Sequence, residues 1–167
     1  MAKVTPPSPR LWYGLAVTRI LLGLIFLWAF FDKLFGLGFA TPAAKAWING
    51  GSPTTGFLSH VAGPFADVFN AMAGSSFADW LFMLALLGLG VALVFGVAVR
   101  LAAVAGVILT ILMWAASFPL ANHPFLDEHV IYASLFVVFA AALPYQKLSF
   151  AGWWAKLPVI KPQFWFK

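Results

Sequence analysis

Long apolar stretches constrain this chain more than any other feature of its sequence. One runs from Leu11 to Phe31, and another, from Phe77 to Phe118, is long enough for two membrane crossings of about 20 residues each. Gly96 and Arg100 interrupt the longer run and permit a tight hairpin there. Hydrophobic residues make up 63% of the 167 positions and charged residues only 9%, which excludes an ordinary soluble domain. The chain is predicted to be an integral membrane protein.

A last apolar run, Val130 to Leu143, is too short for a crossing unless its helix begins earlier in the chain. Asn122 is a suitable N-cap, and Pro124 suits the first helical turn because its missing N–H needs no partner there. We therefore expect four spans, at about 11–31, 79–98, 101–118 and 124–145. The predicted fold is an all-α, four-helix membrane bundle that forms a single domain over residues 1–167.

The basic residues are distributed unevenly between the two ends of these spans. The side that holds both termini carries Lys3, Arg10, Arg100, Lys147, Lys156, Lys161 and Lys167, whereas the other side carries Lys33 and Lys45. The positive-inside rule then places both termini in the cytoplasm, and we expect a multi-pass protein of a prokaryotic inner membrane. Because these cations flank apolar spans, the net charge of +5 predicts contact with lipid and no nucleic-acid partner.

Two segments outside the spans have recognisable patterns. The extracytoplasmic loop at about 34–78 carries an apolar stripe that predicts one amphipathic helix, kinked or interrupted at Pro64. The members of the stripe are Phe57, Leu58, Val61, Phe65, Val68, Phe69 and Met72. Near the C-terminus, Phe150, Trp153 and Trp154 alternate with lysines, which predicts a segment anchored at the cytoplasmic interface.

The acidic side chains and the histidines all fall on the extracytoplasmic side of this arrangement. They are Asp32, Asp67, Asp79, Asp127, Glu128, His60, His123 and His129. The chain has no cysteine, which excludes disulfides and iron–sulfur clusters, and the histidine spacing does not suit haem or a metal site. We expect neither a metal nor haem, and we expect any polar chemistry at the outer rim.

The outer rim offers candidate residues for proton transfer to a bound quinone. Asp127, Glu128 and His129 are the catalytic candidates, and Tyr132 shares a helix face with Glu128 because the two are four residues apart. Lys33 ends the first span at the same depth and is a candidate for binding substrate or quinone. The alternative is an interfacial salt bridge between Lys33 and Asp127 or Glu128 that holds two helix ends together.

Two further residues are candidates for a quinone site. Arg19 lies inside the first span, where a guanidinium needs a partner, water or a route to the interface. It either caps backbone carbonyls or reaches the interface, or else it donates to a quinone carbonyl or an anion. Trp114 belongs to an aromatic belt near the outer interface and either anchors the helix in lipid or walls an aromatic pocket.

Three segments of the sequence, 19–33, 46–58 and 122–132, resemble the DoxX group of four-helix membrane proteins. More closely, the chain is similar to the DoxD-type small subunit of thiosulfate:quinone oxidoreductases. The resemblance implies oxidation of thiosulfate to tetrathionate outside the cytoplasm, with quinone as the electron acceptor and a second subunit as partner.

Two classes of function are consistent with these features. One is a membrane subunit of a quinone-linked oxidoreductase, with a site built from the residues named above. The other is an accessory subunit without turnover, which stabilises a larger respiratory or photosynthetic complex. A transporter is the weaker alternative, because among the charged residues only Arg19 is deep in a span. Small residues such as Ala102 and Gly106 permit close helix contact, either within the chain or in a homo-oligomer.

Overall fold

The computed structural model describes residues 8–158 and 160, and these residues form helices and no strand. The seven α-helices are α1 (Pro9–Phe35), α2 (Thr55–Leu58), α3 (Ala66–Met72), α4 (Ser76–Phe95), α5 (Val99–Ala116), α6 (Glu128–Ala141) and α7 (Ala151–Trp154). Short 3₁₀ turns occur at Ala43–Lys45, Trp47–Asn49 and Leu143–Tyr145. The predicted all-α class is confirmed.

Three of these helices, α1, α4 and α5, are long and apolar enough to cross a membrane. The predicted hairpin between the second and third span is also present: α4 ends at Phe95, and α5 begins at Val99. Gly96 caps α4 in the left-handed conformation, with φ at 65–66° like that of Gly36 at the end of α1. Glycine is favoured at both positions because a Cβ atom strains this backbone conformation.

The start predicted for the fourth span is wrong, because α6 begins at Glu128 and its N-cap is Asp127, not Asn122. A carboxylate oxygen of Asp127 accepts the backbone N–H of His129 at 3.0 Å. Upstream, Nδ1 of His123 accepts the backbone N–H groups of Phe125 and Leu126 at 3.0 and 2.9 Å. These amides therefore have partners in a turn, and the chain gains nothing by extending the helix back through them. The 14 residues of α6 span about 21 Å, so a fourth crossing stays a prediction.

Small residues bring the long helices into close contact in pairs. On α1, a Cβ atom at Gly23 would lie 2.8 Å from the backbone nitrogen of Val94, so α1 and α4 approach closely there. On α5, Gly106 lies against the ring of Phe136 from α6, and Phe136 is fully buried. The close contact expected at Gly106 is therefore made within one chain.

The long loop contains two short helices instead of the single amphipathic helix that the apolar stripe predicted. The break between α2 and α3 coincides with Gly63, which has φ at 79°, and with Pro64. A proline disfavours helical backbone in the residue before it, and the positive φ of Gly63 leaves the helix outright. Stripe members therefore have different environments: Val61 is 7% exposed, whereas Val68 is 64% exposed.

The two ends of the helical bundle are formed by different connecting segments. The hairpin end comprises the α4–α5 turn at 96–98 and the segment 142–158 that follows α6, and the loop end comprises residues 36–75 and 117–127. The backbone N–H of Phe150 donates to the carbonyl of Phe95 at 2.9 Å, which fixes α7 to the end of α4. The predicted C-terminal interfacial segment thus contains a short helix, while Lys161 lies outside the described residues.

Candidate functional site

Asp127 and His129 form the contact on which the candidate site is built. Nδ1 of His129 lies 2.8 Å from Oδ2 of Asp127, while Oδ1 of the same carboxylate accepts the backbone N–H of His129 at 3.0 Å. The side chain of His129 is 14% exposed, and that of Asp127 is 13% exposed. An ionised Asp127 requires a hydrogen on Nδ1, which leaves Nε2 as the position that exchanges a proton. The N-cap of α6 thus sets the orientation of an imidazole at the loop end.

One aromatic side chain adjoins this pair, and a second binds the loop that precedes α6. The rings of His129 and Tyr132 meet edge to face with centroids 6.4 Å apart, so the turn that follows places a phenol beside the imidazole. Trp114, from the end of α5, packs edge to face against Phe118 at 5.0 Å. Its indole N–H donates to the carbonyl of Phe125 at 2.9 Å, so Trp114 holds the loop before α6 and has no N–H left for a ligand.

Glu128 and Lys33 do not join the pair. Glu128 is exposed and forms no hydrogen bond or ion pair with any described residue. Lys33 is half-buried, with its ammonium 5.9 Å from the centroid of the Phe82 ring, and within the described part of the chain no carboxylate lies within salt-bridge distance of it. Neither of the salt bridges considered for Lys33 is present among the described residues, so this half-buried ammonium makes no direct ion pair there.

Arg19 lies at the opposite end of the molecule. Only 2% of it is exposed, and its guanidinium donates to the carbonyls of Leu93, Lys147 and Leu148, the last two at 3.1 and 2.9 Å. Arg19 therefore caps backbone carbonyls, as the first interpretation of this residue expected. It joins the last turn of α4 to the chain that follows α6. Arg19 and Lys33 are separated by about 21 Å along α1, so they cannot serve one small ligand together.

A small pocket beside Arg19 defines what this end of the bundle can hold. Its volume is ≈ 20 Å³, which suits about one water molecule. The stacked rings of Trp12 and Tyr145, 4.3 Å apart, form part of the wall. The side-chain oxygen of Gln146 also faces buried surroundings and has no hydrogen-bond partner among the described residues. A quinone ring does not fit this pocket.

Two buried carboxylates organise the loop end, and sequence reasoning assigned no role to either. Asp32 is 2% exposed and accepts the backbone N–H groups of Phe39 and Ala40 at 3.2 and 3.1 Å. Asp79 is 7% exposed and accepts from Ser52 Oγ at 2.8 Å and from Thr54 through both its N–H and its hydroxyl, at 3.1 and 2.6 Å. Two features of the sequence could have identified Asp79. It lies in the first turn of an apolar helix, and the loop before that helix contains a segment rich in serine and threonine, residues 52–55.

The described residues contain no group of three or more histidine and carboxylate side chains that could hold a metal ion. What the loop end does offer is a carboxylate-held imidazole, a neighbouring phenol and, at the end of α1, an ammonium that forms no salt bridge within the described residues. Such an arrangement can move protons and attract anions, but it carries no electrons by itself.

Three helices of membrane length, joined to a polar cluster at one end, define a multi-pass membrane protein. The DoxX family model matches residues 14–119, well over half of the chain, and the protein therefore belongs to the DoxX family. The matched segment includes Arg19, Lys33 and Trp114 and ends before Asp127. Comparison with curated proteins gave no match, and comparison with solved structures gave none either.

Proposed function

We propose that this protein is the membrane subunit of a quinone-linked oxidoreductase, similar to the small subunit that oxidises thiosulfate to tetrathionate with quinone as acceptor. Its family is often linked to oxidoreductase-type subunits. The observation that carries the proposal is the Asp127–His129 contact at the start of an apolar helix. A proton donor at that position suits a quinone, whose reduction takes up protons at its carbonyl oxygens.

The proposed reaction balances without a resident redox centre in this chain. Two thiosulfate ions join through a new S–S bond and release two electrons, and quinone takes up these electrons with two protons to give quinol. Electrons pass from sulfur to quinone directly or through a second subunit. His129 delivers protons from Nε2 while Asp127 stabilises the imidazolium, and Glu128, which is exposed, supplies protons from water.

Lys33 and two aromatic residues complete the proposed site. The half-buried ammonium of Lys33, with no carboxylate in contact, attracts an anionic substrate to the loop end. Tyr132 and Trp114 supply aromatic walls for a quinone ring on the α5 and α6 side. In this proposal Arg19 has no contact with substrate, because its donors hold the hairpin end together.

The proposal includes an orientation. α6 completes a four-helix bundle in a prokaryotic inner membrane, both termini are cytoplasmic, and the loop end faces the extracytoplasmic space, the side on which the resemblance places thiosulfate oxidation. The excess of basic residues at the hairpin end supports this orientation.

A second candidate function is an accessory subunit without turnover. The observation that favours it is that three buried charged residues, Arg19, Asp32 and Asp79, all bind backbone or hydroxyl groups of the chain itself. Much of the polar chemistry inside the molecule is therefore structural.

The test uses the full chain, alone and with any subunit that co-purifies with it, in lipid nanodiscs. Reduction of a short-chain quinone is followed after addition of thiosulfate. We expect turnover that His129→Gln reduces at least about a hundredfold, because general acid catalysis contributes factors of this size. A folded chain that stays silent in both preparations supports the accessory role and rejects the oxidoreductase.

A further inference from the structure

A groove at the hairpin end lies outside the candidate site. Its volume is ≈ 630 Å³, within the range of ligand pockets. The residues that line it are Val91, Phe95, Val97, Phe150, Trp153 and Trp154. The walls are thus entirely apolar and come from the end of α4, the α4–α5 turn and α7.

The groove is a built feature of the fold. The backbone of Phe150 is hydrogen-bonded to Phe95 at 2.9 Å, and the two rings lie 5.9 Å apart, so α7 is held against α4. Trp153 nevertheless remains 60% exposed and Phe150 58% exposed. Large aromatic surfaces of this kind, gathered around one depression, indicate a site that an apolar group covers.

Charge around the groove identifies the kind of group. Lys147 precedes Phe150 by three residues, Lys156 follows Trp154 by two, and both lysines are exposed. No acidic residue of the chain lies at this end. All five are elsewhere: in the last turns of α1 (Asp32), in α3 (Asp67) and at the starts of α4 (Asp79) and α6 (Asp127, Glu128). The segment that supplies the aromatic wall of the groove thus lies between two lysines in the sequence, and no acidic residue lies at this end. This combination matches a molecule with a hydrocarbon tail and an anionic head.

We propose that this groove binds one acyl chain of an anionic phospholipid, whose phosphate headgroup is held by Lys147 and Lys156. The bound lipid covers the exposed faces of Phe150 and Trp153 and fills the space between α4 and α7. The site is separate from the candidate site at the loop end, so either proposal can fail without the other.

Native mass spectrometry of the full chain measures this binding directly, with phosphatidylglycerol and phosphatidylcholine of identical acyl chains as probes. We expect one tightly retained phosphatidylglycerol per chain and a preference of about tenfold over phosphatidylcholine, since each basic residue near an anionic lipid adds attraction. The variant pair Lys147→Gln with Lys156→Gln should remove the preference. Trp153→Ala should lower retention of both lipids.

Controls separate the groove from general lipid contact. Lys45→Gln removes an exposed cation at the loop end, and Ile108→Ala trims an exposed side chain of α5; neither should change retention. Because Lys147, Lys156 and Trp153 are exposed, these variants should fold, which melting temperature confirms.

Three outcomes would overturn the proposal. One is equal retention of the two lipids by the unaltered chain. Another is loss of preference in the lysine variants with no effect of Trp153→Ala, which would assign binding to surface charge alone. The third is a dimer that Trp153→Ala dissociates while lipid retention stays constant, which would assign the groove to a second copy of the chain.

Discussion

The imidazole of His129 is held by Oδ2 of Asp127 at 2.8 Å, and the other oxygen of that carboxylate caps the helix on which His129 stands. One side chain thus starts the helix and orients its first imidazole. Asp127→Asn keeps a good N-cap but cannot stabilise an imidazolium as a charge does. We expect this variant to lower quinone reduction by about a hundredfold or more, with little change in melting temperature.

The matched control for Asp127→Asn is Asp67→Asn, which removes an exposed carboxylate from α3 and should leave quinone reduction unchanged. Glu128→Gln tests the neighbouring acid, and we expect a smaller loss because water can replace an exposed proton donor. Full activity of Asp127→Asn would rule out the proposed proton route.

Arg19 should matter for stability more than for activity. Arg19→Met leaves the carbonyls of Leu93, Lys147 and Leu148 without their donor, and we expect a loss of about 3 kcal/mol or more in the free energy of unfolding. Thermal unfolding in detergent measures the change. Arg10→Met, at an exposed position in the first turn of α1, is the control. Should Arg19→Met unfold like the unaltered chain yet lose quinone binding, Arg19 would belong to a quinone site after all.

Asp79 should hold residues 50–58 of the long loop in a fixed conformation. Asp79→Ala removes the acceptor for Ser52 and for both groups of Thr54, and we expect faster hydrogen exchange over residues 50–58 and a destabilisation of about 1–3 kcal/mol. Asp67→Ala, which removes an exposed carboxylate of the same loop, should leave that exchange rate unaltered. Equal exchange in the two variants would contradict the anchoring role of Asp79.

Gly106 should be intolerant of any side chain. A Cβ atom there would overlap the ring of Phe136, so Gly106→Ala is expected to destabilise the α5–α6 contact by about 1–3 kcal/mol. Gly88→Ala is the control, because a Cβ atom at that helical glycine meets nothing within 4 Å. Phe136→Leu in the Gly106→Ala background should recover part of the loss, and a double-mutant cycle in unfolding experiments measures the coupling. Additive effects would show that the two residues do not meet.

The proposed orientation is testable because the chain has no cysteine. Lys45→Cys places a thiol in the long loop and Arg10→Cys places one near the start of α1, both at exposed positions. A membrane-impermeant maleimide should label the former in intact cells and the latter only after lysis. The reverse pattern would put the candidate site on the cytoplasmic side and remove the argument for extracytoplasmic thiosulfate.

The helices of membrane length were predictable because hydropathy is a local property. Each residue of Leu11 to Phe31 adds to a sum that needs no knowledge of the rest of the chain, and the predicted ends fall within four residues of the α1 ends at Pro9 and Phe35. The N-cap of the fourth helix was predicted wrongly because the sequence offers two residues of a suitable type, Asn122 and Asp127. The backbone N–H groups of Phe125 and Leu126, which would lie in the first turn of a helix that starts at Asn122, donate to His123 instead. The helix therefore starts later, with Asp127 as its N-cap.

From its sequence alone, this chain is a multi-pass helical membrane protein with acids and histidines at one end of its spans and an excess of cations at the other. Only the tertiary structure decided which of these groups are engaged: Arg19 binds Leu93, 74 residues away, and Asp79 binds Thr54, 25 residues away. The hydropathy that favours a helix in lipid depends on composition and can be summed along the chain. A hydrogen bond depends on the position and direction of both partners, and for residues so distant in sequence only the packed helices set these.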